Sequence, residues 1–124
     1  MPISYSIDSQ LGIILETWVG NVSAKDLAEY WRSYLANPEV LSLRRTLVDL
    51  RQANLTFTGR ELSDLISHIV DPILQGRDWK TAIVVDKPVQ FGISRQYHAF
   101  AEHYSRDAIF SDPASALEWL RSQT

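Results

Sequence analysis

The chain has 124 residues, 45% hydrophobic and 22% charged, the make-up of one folded domain spanning residues 1–124 and not of a disordered or collagen-like chain. Its 12 Lys and Arg stand against 15 Asp and Glu, a formal net charge of −3, the wrong sign for a surface that neutralises phosphates, so nucleic acid is not an expected partner. Cysteine is absent, which removes disulfides, thiolate nucleophiles and cysteine-held zinc or iron–sulfur clusters.

In chain order, Ile3, Tyr5 and Ile7 alternate with polar residues, and Asp8-Ser9-Gln10-Leu11-Gly12 turns the chain into a second strand from Ile13 to Val19, closed by Gly20-Asn21. The pattern predicts an antiparallel hairpin. Ser23 and Asp26 then form a capping box, with Val22 stapled to Leu27, ahead of a helix whose stripe is Leu27, Tyr30, Trp31, Tyr34 and Leu35. Asn37-Pro38 ends it, because the residue before proline is pushed out of the α region. Thr46 to Leu50 reads as a short strand covered on both faces. A second helix opens on Thr58, with Glu61 completing the box and Phe57 packing on Leu62, and Asp71-Pro72 breaks or kinks it.

Thr81 to Asp86 is the next buried strand, and Lys87-Pro88 opens a third helix with Val89, Ile93, Tyr97, Phe100 and Tyr104 on its core face. Ala108-Ile109-Phe110 is a last short strand, and Asp112-Pro113 caps a closing helix through Leu117 and Leu120. The order β-β-α-β-α-β-α-β-α predicts an α/β domain: a single-layer, mostly parallel sheet of about five strands with an antiparallel opening hairpin and about four helices. Ligands and partners of such sheets meet the loops beyond the carboxyl ends of the strands, here Asp49 to Thr58 and Asp86 to Arg95, which should lie side by side. No apolar run approaches the ~20 residues that cross a bilayer, and Met1-Pro2-Ile3-Ser4-Tyr5 lacks a basic-then-apolar leader, so a cytoplasmic location without membrane insertion is expected.

Several motifs in this order resemble the SpoIIAA-like fold shared by STAS domains and by small stand-alone bacterial relatives. They are Leu47-Val48-Asp49-Leu50 ahead of Thr58-Gly59-Arg60-Glu61-Leu62, Ala82 to Asp86 followed by Phe91-Gly92-Ile93-Ser94-Arg95, and Ile109-Phe110 with Ala116 to Leu120. The resemblance covers nearly the whole chain. It implies a non-catalytic regulatory module that binds protein partners, with no cofactor. In the antagonist branch of STAS proteins a Ser in an Asp-Ser-Ser-Gly-like motif is phosphorylated at the start of the second helix. The matching place here is Thr58, with Thr for Ser and Phe57 where the acid would stand. The same superfamily includes the larger CRAL-TRIO lipid carriers, which raises a small apolar or lipid ligand as the alternative.

The residues themselves offer two readings at each candidate. Thr58 is a helix cap, worth about 1 kcal/mol, or a phosphoacceptor. Tyr30, Trp31 and Tyr34 are core packing or the lining of an apolar pocket. Phe91 lies with Arg95, His98 and Glu102 on the polar side of the third helix, as a partner surface or folded back under the loop after Asp86. Gly92, costly inside a helix, suggests the close approach of another backbone or of a ligand. Asp49 and Asp86 could meet at a metal, but loop-capping acids are the simpler account, and no metal site is expected. Ser94, His98 and Glu102 recur four apart without an oxyanion hole, so His98 with Glu102 is read as an exposed pair, His68 as solvated, and no catalytic residue is assigned. Phe57, Thr58, Phe91 and Arg95 are the expected partner-binding residues, and a homodimer is compatible with the aromatic helix faces.

Overall fold

A computed structural model describes residues 2–123. Strands β1 (Ile3–Asp8) and β2 (Ile13–Val22) form the opening hairpin, antiparallel, with Ile3 opposite Trp18 and Asp8 opposite Ile13. The Asp8 carboxylate closes the turn by accepting the Gln10 and Leu11 N–H groups. Helix α1 (Ala24–Tyr34) starts on the Ser23 and Asp26 capping box, in which each side chain accepts from the other's backbone N–H.

Helix α1 ends at Tyr34, ahead of Asn37-Pro38 as expected, and a second helix begins at once. Asn37 ends α1's connection and caps a further short helix, α2 (Pro38–Leu43), with Pro38 in the first turn, where its missing N–H costs nothing. Arg44, in the left-handed region at φ 58°, turns the chain from α2 into β3 (Arg45–Leu55).

Strand β3 is twice the predicted length. Its first half pairs with β4 (Trp79–Val84), and its second half, Gln52 to Leu55, pairs only with the far end of β2 beyond a register shift between Thr17 and Val19. Residues assigned to a loop after Asp49 are therefore mostly strand, because β2 runs on to Val22 and supplies the partner. Helix α3 (Gly59–Leu65), capped by Thr58 and Glu61, passes through a widened turn over Ile66–Val70 into α4 (Asp71–Leu74). Pro72 has no N–H to give to an ordinary helical bond, and the wide turn lets the helix absorb it without stopping.

Helix α5 (Pro88–Ala101) leads to β5 (Ser105–Phe110), parallel to β4, and α6 (Pro113–Ser122) closes the chain on its Asp112 cap. The sheet order is β1-β2-β3-β4-β5, with every pair after the hairpin parallel. Alternation sends Ile14, Trp18, Val48, Leu50 and Ile83 to one face, where they pack with α1, α3 and the wide turn. Ile13, Leu47, Ala82 and Val84 go to the other face, which Ala116 and Leu120 of α6 cover.

Candidate functional site

Alternation along β2 places Glu16 on the helix-covered face, between Ile14 and Trp18. Its side chain is accordingly interior, 5% exposed. One carboxylate oxygen accepts the Trp18 indole N–H at 2.7 Å and the other accepts the Tyr30 hydroxyl at 2.7 Å. Burial pushes the carboxyl above its ordinary range, and the two donated hydrogen bonds oppose that shift without cancelling it. Tyr30 stacks on Tyr34 with ring centroids 5.1 Å apart. Tyr34 and Thr46 share a 2.9 Å hydroxyl hydrogen bond, and the Trp79 indole donates to the same Thr46 oxygen at 3.2 Å.

These groups border a cavity of about 80 Å³ between the sheet and the helices. Its wall includes Glu16, Trp18, Trp31, Tyr34, Phe57 and Trp79, with Ser94 and Tyr97 reaching it from α5. A water needs roughly 10–15 Å³ of such space, and a cavity of roughly 150 Å³ accepts benzene. The void is thus larger than a packing defect and smaller than a lipid chain. Among the described residues, Glu16 is its only charged lining group.

The expected residues divide between this cavity and the surface. Trp31 and Tyr34 line the cavity, while Tyr30 stands behind them as the hydroxyl that holds Glu16. Phe57 is not on the surface: it is 5% exposed and packs 6.4 Å from the Trp18 ring. The staple onto α3 that puts Phe57 next to Leu62 also turns it inward, so it offers no side chain to a partner in this conformation. Thr58 is exposed and its hydroxyl accepts the Glu61 N–H at 3.1 Å. Phe91 is 45% exposed, with the Arg95 guanidinium carbon 5.9 Å from its ring centroid, and it does not fold back under the loop.

The segments after residues 49 and 86 do meet, through a residue the periodicity assigns to no face. Gln90 is 1% exposed. Its amide nitrogen donates to the Leu50 and Ala53 carbonyls at 2.6 and 3.0 Å, and its oxygen accepts the Asp86 and Lys87 N–H groups. Helix α5 keeps Ile93, Tyr97 and Phe100 against the core, as its stripe predicts. Gln90, Ser94 and Ala101 are buried on it, and Val89, expected in the core, is 63% exposed.

Other expectations are corrected by the same geometry. A Cβ at Gly92 would meet open space, whereas one at Gly59 would run into the Gln96 side chain, so the close approach is between α3 and α5 at Gly59. His98 faces the buried Asp107 of β5 at 3.6 Å, making that its ion-pair partner in place of Glu102, and burial raises the Asp107 carboxyl. His103 lies 3.2 Å from Asp71. Asp49 is clasped by Arg51, whose guanidinium holds it below the usual carboxylate range, and Asp86 pairs with Lys87. Among the described residues no three His, Asp or Glu side chains cluster as a metal would require, and no helix is long and apolar enough to cross a membrane.

The signal for Glu16 was present in the sequence: it shares the strand face of Ile14 and Trp18 in an otherwise apolar stretch. An acid at that register must be buried. Ordinary reading of charge as surface conceals it.

No family model matches the sequence, and no curated protein does. Among solved structures the chain is similar to an uncharacterized protein from the DUF3478 family with a SpoIIAA-like fold, from Shewanella loihica PV-4. The TM-score is 0.63 at 18% identity, over 95% of this chain and 93% of that one. The chain has a SpoIIAA-like fold. At that identity the likeness is one of chain path, so the SpoIIAA-like fold accounts for the order of strands and helices and leaves the chemistry to the side chains. In this SpoIIAA-like sheet the strand order never reverses. A reversal is what opens a crevice at the strand ends of other α/β folds; here an interior cavity lies beneath α1.

Proposed function

We propose that this chain is a non-catalytic binding domain that takes a small ligand into the cavity beneath α1. The observation that carries this reading is an 80 Å³ void walled by aromatic side chains and one buried acid. A core of this size has the side chains to fill such a space, and packed interiors leave few voids larger than a water. The volume favours a compact ligand of a few heavy atoms over a lipid, whose chain would require α1 to move away from the sheet. Pockets of this kind, mostly apolar with a few placed polar groups, are the usual form of small-molecule sites.

The test uses the four tryptophans. Trp18, Trp31 and Trp79 border the cavity, and Trp119 packs on the opposite face against Phe110. In ¹⁵N-correlated NMR spectra, a panel of compact apolar, polar and charged compounds should include members that shift the first three indole signals saturably and leave that of Trp119 still. Ser94→Leu, which fills the void, should abolish the response while keeping a dispersed spectrum. Shifts of all four indoles alike, or none at any concentration, would contradict the reading.

A second reading has its own observation. Val89 and Phe91 are large apolar side chains left exposed at the start of α5, beside Arg95 and the start of α3 at Thr58. This supports a protein partner, or a second copy of the chain, on that face. Phe91→Ser combined with Arg95→Ala should abolish retention of any partner captured by the parent chain and any concentration-dependent dimer in sedimentation. Unchanged behaviour in both assays counts against the surface.

A further inference from the structure

We propose that the cavity beneath α1 selects a small organic cation, an alkylammonium, with Glu16 as its counter-charge. The proposal rests on the reading of the cavity as a ligand site and adds the ligand's chemical class.

A buried carboxylate is costly unless it is paired. Glu16 receives two neutral donors, the Trp18 indole and the Tyr30 hydroxyl, one on each oxygen. No Lys, Arg or His lies within ion-pair distance of it among the described residues. A carboxylate has about four acceptor positions, so Glu16 keeps capacity for a further donor on the side where it borders the void. The carboxyl is therefore hydrogen-bonded in place without a counter-charge, and a cation beside it would hold it ionised against the burial that raises it.

The remaining wall suits a cation and not an anion. Trp18, Trp31, Trp79, Phe57, Tyr34 and Tyr97 present aromatic rings around the same space. Aromatic faces attract ammonium groups, more strongly where water is excluded. Of the cavity's other polar groups, Ser94 donates to the Gln90 carbonyl, and Thr46 is bonded to Tyr34 and Trp79. An apolar ligand would gain nothing from the acid, and an anion would be repelled by it. By volume, about four heavy atoms fit.

Trimethylammonium and 2-propanol each have four heavy atoms and one hydrogen-bond donor, and differ in charge. Titrated into the parent protein at neutral pH and read at the Trp18 indole, trimethylammonium should bind about tenfold or more tightly than 2-propanol. Glu16→Gln should remove that advantage and leave 2-propanol binding within about twofold. A pH series on the parent keeps the test independent of that variant's folding. Trimethylammonium binding should weaken as pH falls through the Glu16 carboxyl range, and 2-propanol binding should not. The groups facing Glu16 are Tyr30 and Tyr34 from α1 and Tyr97 from α5, all pushed up by burial and neutral throughout, and β3 and β4 contribute only Thr46, Thr81 and Trp79 to the cavity's polar wall. Asp107, beyond Tyr97 on β5, also has a raised carboxyl, but it does not line the void.

Equal binding of the two compounds, or trimethylammonium binding that is indifferent to pH and to Glu16→Gln, overturns the cation assignment and leaves the ligand site standing. Failure of the whole panel, both compounds included, to shift the Trp18 signal overturns both.

Discussion

Glu16 and Gln90 are the two polar residues on which the interior depends, and their accounts differ in sign. Gln90 is satisfied on all sides: its amide spends two donors on β3 carbonyls and its oxygen takes two N–H groups of the segment after β4. Gln90→Leu keeps the volume and strands those backbone groups, which cost about 1–3 kcal/mol each when buried without a partner. We expect a loss of about 3 kcal/mol in urea unfolding. A loss below about 1 kcal/mol would show that water replaces the clamp. Glu16 is the reverse case, a group whose charged form is disfavoured by folding. Because its folded pKa is raised, the native state holds the proton more tightly than the unfolded chain does. Its contribution to stability is complete below the ordinary value near 4.5 and declines as pH rises through the raised value. Asp107 contributes with the same sign and the lowered Asp49 with the opposite one. The comparison that isolates Glu16 is therefore parent against Glu16→Gln: unfolding free energy measured from mildly acidic to neutral pH should decline more steeply in the parent. Parallel profiles would mean the carboxyl is solvated.

At the scale of elements, the helix starts were the most legible part of the sequence, since capping chemistry is local. Ser23 with Asp26, Thr58 with Glu61, and Asp112 all act as their spacing predicts. What could not be read locally was decided by partners distant in sequence. The second half of β3, Gln52 to Leu55, looks too polar for a strand, and becomes one, with Gln52 and Asn54 exposed, because β2 continues past its bulge to meet it. Helix α5 keeps its predicted stripe through Ile93, Tyr97 and Phe100 but gives up Val89 in the first turn, where Gln90 and its four hydrogen bonds take the interior position. The cavity was half visible, through Trp31 and Tyr34, whereas Phe57 was misplaced to the surface because a staple residue's direction depends on what lies beneath it. Helix α6 tests the same dependence. Among the described residues it is the helix that covers the second sheet face, through Ala116 and the fully buried Leu120, and Arg45 of β3 reaches the carbonyls of Leu120 and Gln123 at its end. Leu120→Ala should cost about 3 kcal/mol, within the usual range for a leucine deleted from a core. Amide exchange should accelerate first over α6. Uniform acceleration across the sheet would show that the two faces unfold as one.

For the whole molecule, the fold was the most robust inference because alternation of strands and helices admits few topologies. The hairpin, the parallel run and the adjacency of the segments after residues 49 and 86 all appear in the structure. Consecutive strands lie beside one another without a reversal, Gln90 ties β3 to the segment after β4 at the rim, and a cavity lies inward, beneath α1. The proposed interior site joins the SpoIIAA-like chain path to a chemistry carried by Glu16 and its aromatic surroundings, and Val89 and Phe91 stay exposed at the rim. Electron density from crystals of the parent protein soaked in the tightest-binding compound of the NMR panel tests this most directly. The account predicts the compound enclosed between Trp18, Trp31 and Trp79 against Glu16; a compound seated elsewhere on the surface, with only water in the interior space, would contradict it.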